Sequence, residues 1–138
     1  MALTREQMDR ILDDHFDCEA SDDVAGVLRT LTPDVVHDVV GAPTGPTFGK
    51  EEAGRFYKAA FQDLKVSKVT SLKRLYGEDF LVDESLWAGT APGRPFGIEG
   101  RGRPLEFRLL HVIEFAGDGK IRRENVWFDM EEIYRQLP

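Results

Sequence analysis

The chain has 138 residues, 41% of them hydrophobic and 31% charged, with a formal net charge of -7. That size suits one domain, residues 1–138, able to bury roughly two thirds of its unfolded surface, and the acidic balance argues against nucleic-acid phosphates and anionic membranes as partners. Cys18 is the single cysteine, so no internal disulfide or thiol metal cluster forms; no apolar run approaches the roughly 20 residues of a bilayer span, and Met1 leads into Thr4-Arg5-Glu6-Gln7 with no apolar signal core, so a cytoplasmic protein is expected.

Thr4, with Gln7 three residues on, forms a capping-box pattern that opens a first helix, along which Met8, Ile11, Leu12, His15, Phe16 and Glu19 recur at helical spacing. His15 therefore shares the apolar face. Ser21 is placed to cap a short second helix with Val24, Val27, Leu28 and Leu31 inward, ended by Pro33. A strand follows, then a stretch from Gly41 to Gly49 too rich in turn residues to be regular. A third helix is predicted from about Lys50 to Leu64, with Ala53, Phe56, Tyr57, Ala60, Phe61 and Leu64 on one face. The period then changes to two, giving strands at about Val66–Tyr76, Phe80–Gly89, Arg103–Phe115 and Lys120–Phe128. Ala116-Gly117-Asp118-Gly119 reads as a hairpin turn, Ala91 to Gly102 as a loop, and Asp129 opens a last helix ending near Leu137. Three helices followed by long antiparallel strands make an α+β domain, in which a bent sheet around the helices leaves a conical cavity.

The strand Val35-Val36-His37-Asp38-Val39-Val40-Gly41 sets an acid inside a run of valines. Alternation puts Val36, Asp38 and Val40 on one face and Val35, His37 and Val39 on the other, and both faces are otherwise apolar. A carboxylate there is costly unless it finds a partner, lines a cavity or is held partly neutral, so Asp38 is a candidate general base; as a plain structural acid it would bind His37, His15 or backbone. On Phe107–Ile113, His111 alternates with Phe107, Leu109 and Ile113. Asp129 precedes Glu132 by three and reads as an N-cap as well as a candidate acid, with Asn125 and Trp127 on its strand face. Asp83 and Glu84 are adjacent, point to opposite faces and do not form a paired-carboxylate site. His15, His37 and His111 lie on separate elements without the close spacings of a zinc site, so no metal is expected. Gly97-Ile98-Glu99-Gly100-Arg101-Gly102 opens a strand rather than a helix and is not a phosphate loop; no Ser or Cys nucleophile motif is visible.

The order of elements resembles the cone-shaped nuclear transport factor 2-like fold, a curved antiparallel sheet wrapped around three N-terminal helices. The C-terminal half resembles its SnoaL-like polyketide cyclase branch through Trp87, Gly89-Thr90, Gly93, Gly97, Arg101-Gly102-Arg103, Phe115, Gly119-Lys120-Ile121, Asp129 and Gln136-Leu137, with Pro138 where a glycine is common. The N-terminal half is similar to the ketosteroid isomerases through Asp38, Val40, Gly41, Gly49, Phe56 and Tyr57. The resemblance implies a general base at Asp38, an oxyanion-hole tyrosine position taken here by His15, a neutral-acid position taken by His111, and a cyclase-type acid/base at Asp129.

Together these readings predict a cofactor-independent isomerase or aldol-type cyclase that removes a proton next to a carbonyl of a small apolar ligand. The catalytic candidates are Asp38, Asp129, His111 and His15; Tyr57, Phe56, Trp87, Asn125 and Trp127 would line the pocket, and no metal or other cofactor is expected. A ligand-binding module without turnover, or a protein-interaction domain using the sheet face, are the alternatives from other classes. A homodimer through the open sheet face is expected, with Val112, Val126 and Phe128 on the side away from the cavity.

Overall fold

In a computed structural model of the protein, which describes residues 2–42 and 45–138, four α-helices pack with one six-stranded curved, unclosed sheet. The elements run α1 (Arg5–Ala20), α2 (Val24–Arg29), β1 (Leu31–Val39), β2 (Thr47–Phe48), α3 (Gly49–Asp63), β3 (Lys65–Tyr76), β4 (Phe80–Ala91), β5 (Arg103–Phe115), β6 (Ile121–Phe128) and α4 (Met130–Gln136). The strand order is β2-β1-β6-β5-β4-β3. Every neighbouring pair is antiparallel except β1 with β6, whose parallel pairing sets the first strand between β6 and the short edge strand β2.

Local chemistry accounts for most of these boundaries. The Thr4 hydroxyl accepts from Gln7 N at 3.1 Å and the Gln7 side chain accepts from Thr4 N at 2.8 Å, which satisfies two otherwise unpaired donors at the start of α1. Met8, Leu12, His15 and Phe16 are the buried residues of α1. Gly119, at φ +85°, supplies the left-handed residue of the β5–β6 turn. Ser21 does not open α2; it caps the end of α1, and Asp23 takes the N-cap role by accepting from Gly26 N at 2.9 Å. Pro33 lies within β1 instead of ending a helix. It falls in the register shift between Leu31 and Val36, where no ladder hydrogen bond is asked of it. The turn-rich stretch after Gly41 contains the short strand β2, paired with Val36 and His37; Pro43 and Thr44 of that stretch lie outside the described residues.

The concave side of the sheet carries two apolar clusters. One joins Met8, Leu12, Phe16, Val27, Leu31, Tyr57, Leu81 and Ile113; the other joins Leu105, Phe107, Leu109, Val126, Ile133 and Leu137 under α4. Val126 and Phe128 face inward, contrary to the expectation that they belong to the outer face. The outer face instead exposes Leu72, Leu110 and Trp127. Among the described residues no helix is long and apolar enough to cross a membrane.

Leu12 is fully buried at the centre of the first cluster. Its truncation to alanine is expected to lower unfolding free energy by about 2–5 kcal/mol in urea titrations, since the surrounding helix and strands can only partly close the void. A loss under about 1 kcal/mol would mean that this cluster is loosely packed.

Candidate functional site

The strand registers stack polar side chains on the concave face. His37 of β1 is registered with Glu124 of β6, and Glu124 with Ile113 of β5. One row along, Asp83 of β4 is registered with His111 of β5, and His111 with Val126. Side chains opposite one another in a ladder share a face, so His37, Glu124, His111 and Asp83 all point toward the helices. From the helical side, His15 of α1 and Tyr57 of α3 complete the cluster. All six are buried.

Glu124 is the hub. Its Oε2 accepts from the Tyr57 hydroxyl at 2.9 Å and lies 3.2 Å from His15 Nε2. Its Oε1 lies 4.0 Å from His37 Nε2 and 4.0 Å from His111 Nε2. Those two gaps exceed hydrogen-bond length and leave a position open between the imidazoles. The opening is the floor of a cavity of about 110 Å³ between the two apolar clusters. Its walls include Phe56, Phe61, Val69, Trp87, Phe107 and Phe128, with Glu19 as a further carboxylate.

Hydrogen-bond accounting fixes the charge state of His15. Thr30 donates its hydroxyl to Val27 O at 2.6 Å, so toward His15 Nδ1, 2.8 Å away, it acts as an acceptor and Nδ1 carries a proton. Nε2 faces two carboxylates, Glu19 Oε1 at 2.8 Å and Glu124 Oε2 at 3.2 Å, and must also carry one. His15 is therefore an imidazolium. Burial alone would lower its pKa, but Glu124 and Glu19 outweigh burial and raise it well above the ordinary value. Burial likewise opposes ionisation of Glu124, and His15, with help from His37 and His111, reverses this and holds the carboxyl below the usual range. His37 is lowered, because burial outweighs the attraction of Glu124, so it is neutral at physiological pH. The Tyr57 hydroxyl is raised by burial and by Glu124 and stays protonated.

His15 Nε2, Glu19 Oε1 and Glu124 Oε2 lie within 4.8 Å of one another, a spacing that a metal ion could also bridge. The separations of 2.8 and 3.2 Å are those of charge-assisted hydrogen bonds, and Glu124 Oε2 already accepts from Tyr57. We assign the position to the second imidazole proton.

The sequence candidates separate cleanly. His15, His111, Phe56, Tyr57 and Trp87 converge on the cavity or its floor. Asp38 does not: it is registered with Asn125 on the outer face, half-buried, with Arg123 at 4.0 Å. Its neighbour His37 takes the inward position. Both faces of the strand are valine-rich, so alternation alone could not choose between them. Asn125 and Trp127 also point outward, and Glu124, Val126 and Phe128 point inward. The expectation reckons alternation from Asp129, which caps α4 instead of facing the cavity. Further upstream, a register irregularity separates Phe115↔Ile121 from Glu114↔Arg123, and its one extra residue reverses the side-chain parity. Ile121 and Glu124 are thus both buried despite odd spacing. Asp129 acts as the N-cap of α4, accepting from Glu132 N at 3.3 Å, and is not among the cavity-lining residues. The residues the sequence reading passed over as site members are Glu124, His37, Glu19 and Asp83. Glu19 shares the helix face of His15 four residues away, a legible signal.

With this geometry in hand, comparison with known proteins fixes the family. The profile of the SnoaL-like polyketide cyclase family matches residues 6–137. The chain belongs to that family. No curated protein matches it. Among solved structures, a candidate SnoaL-like polyketide cyclase from Jannaschia sp. CCS1 superposes with a TM-score of 0.84 at 15% identity, covering 99% of this chain and 96% of that one. A candidate isomerase from Bacillus subtilis gives 0.80 at 17% identity, covering 95% and 92%. An LEH-like epoxide hydrolase from M. tuberculosis gives 0.75 at 16% identity, covering 96% and 90%. At these identities the likeness establishes the nuclear transport factor 2-like fold, which hosts several chemistries.

Replacing Glu124 by glutamine leaves the His15 imidazolium short of a buried counter-charge and is expected to cost about 3–5 kcal/mol. The depressed Glu124 contributes stability above its unfolded value of about 4.5, lost as pH falls through the folded value; the raised His15 contributes fully below about 6.5, lost as pH rises through its folded value. The gap in thermal midpoint between wild type and Glu124→Gln should be widest between about pH 4.5 and 6.5 and narrow on both sides. A gap that keeps widening into alkaline pH would contradict the charge assignment.

Proposed function

We propose that this SnoaL-like protein is an acid–base enzyme that removes a proton next to the carbonyl of a small, largely apolar compound, leading to isomerisation or intramolecular aldol closure. The observation that carries this reading is the convergence of three histidines, from α1, β1 and β5, on one ionised buried carboxylate at the floor of an aromatic cavity.

The protonation states divide the labour. Glu124 is too acidic to serve as the base, and His15 has both ring protons engaged. His37, neutral, can offer an N–H to the substrate carbonyl, and His111 can accept the proton through an Nε2 lone pair. The electron pair of the broken C–H bond becomes the enolate double bond, with its negative charge on the oxygen facing His37. The His15 imidazolium compensates Glu124, so this charge develops beside a paired anion rather than a bare one. The apolar walls limit water around the transition state and strengthen these interactions.

Hydrogen–deuterium exchange at the α-carbon reports the step directly, even where no net product forms. A panel of small enolisable ketones and diketones in D2O should include a compound whose α-proton exchange is accelerated by the wild type. His111→Gln should lose about 10²–10⁴-fold of that acceleration, as for loss of a general base. His37→Gln should lose about 10²–10³-fold, as for an oxyanion donor. Asp38→Asn, altered on the outer face, should keep it. Saturable binding without exchange would overturn the catalytic reading in favour of a ligand-binding domain.

A further inference from the structure

Behind His111, on the side away from Glu124, sits a second buried carboxylate that the scheme above does not use. Asp83 is completely buried. Its Oδ2 accepts from Ser71 Oγ at 2.6 Å and from Arg74 Nε at 2.8 Å, and its Oδ1 accepts from the Ser85 hydroxyl. His111 Nδ1 faces that same Oδ1 at 3.8 Å and has no hydrogen-bond partner of its own, although it is inaccessible to solvent. A buried ring nitrogen left unpaired beside an anion is costly in one tautomer and favourable in the other. With the proton on Nδ1, the ring presents N–H to a carboxylate. With the proton on Nε2, two lone pairs confront each other and the N–H points at Glu124 Oε1 instead.

We propose that Asp83 is a positioning residue that holds neutral His111 as the Nδ1–H tautomer, so that the Nε2 lone pair faces the cavity. This rests on the acid–base reading of the site. When Nε2 takes the substrate proton, the imidazolium formed keeps its Nδ1–H facing Asp83 and presents its new Nε2–H toward Glu124 and the enolate. Asp83 accepts no proton in the cycle: its hydrogen bonds and the Arg74 guanidinium hold it as an anion. Arg74 also binds Asp9 at 2.9 Å and Asp13 at 2.7 Å on α1, the helix that carries His15 and Glu19. The same arginine thus ties the support of one cavity histidine to the helix that supplies another.

Nitrogen-15 spectra of the histidine rings test this without any substrate. In the wild type, once His111 is neutral, Nδ1 should give the protonated pyrrole-type signal and Nε2 the lone-pair signal. The reverse pattern would overturn the proposal by itself, whether or not any variant folds. Asp83→Asn should shift the population toward the Nε2–H form, because an amide can offer N–H to Nδ1. Ser85→Ala, which removes a different bond to the same oxygen, should leave the tautomer in place. On a substrate accepted by the wild type, Asp83→Asn should lower kcat at least about a hundredfold with little change in KM; an unchanged kcat in folded Asp83→Asn would contradict the role. A wild type that exchanges no α-protons would fail the acid–base reading, while the ring spectra would still decide the tautomer.

Discussion

The site depends on one ion pair, the buried contact between Glu124 and His15. Neither partner would stay charged alone in an apolar interior, where the cost of desolvation drives such groups to their neutral forms. Together they are anchored on all sides: Thr30 fixes the far nitrogen of the imidazolium, Glu19 shares the near one, and Tyr57 donates to the carboxylate. With Glu124 held as an anion, its second oxygen becomes a fixed electrostatic reference for His37 and His111. The differing burdens of burial and neighbouring charge then set His15 and His37 to opposite protonation states within one pocket.

The fold supplies this arrangement through its unusual strand pairing. The parallel contact of β1 with β6 places His37 beside Glu124, although they are 87 positions apart in the chain by subtraction of their numbers. The antiparallel ladders from β6 through β5 to β4 then set His111 and Asp83 in the next row. Helices α1 and α3 close the cavity from above with His15, Phe56 and Tyr57, and Arg74 fastens α1 to the sheet through acids on both sides. The range of chemistries that this fold hosts fits such a design, since the sheet fixes positions while the identities at those positions determine the reaction.

Much of this was legible in the sequence, and the failures have physical causes. The capping box at Thr4, the helical spacing of Met8, Leu12, His15 and Phe16, and the hairpin before Gly119 each act locally and were read correctly. His15 and His111 were recognisable as polar residues on apolar faces. Asp38 was misplaced because its strand is apolar on both faces, so period two identifies a strand without saying which side the helices cover. Asn125 and Trp127 were misplaced because they were read by alternation from Asp129 as a cavity acid, whereas Asp129 caps α4 and it is Val126 and Phe128 that alternate into the cavity. The parallel return of β1, a long-range pairing, is what makes Glu124 the neighbour of His37; nothing within either strand announces it.

The central claim is that Glu124 is an anion held in the interior by His15. Carboxyl carbon-13 spectra of glutamate-labelled protein, titrated with acid and assigned through Glu124→Gln, test it most directly. The account predicts that Glu124 keeps the chemical shift of an ionised carboxylate through pH 4.5, the ordinary glutamate value, and moves only below it. A Glu124 signal that titrates above that value would contradict the claim, because a carboxyl that takes up its proton so readily is not being held by an imidazolium.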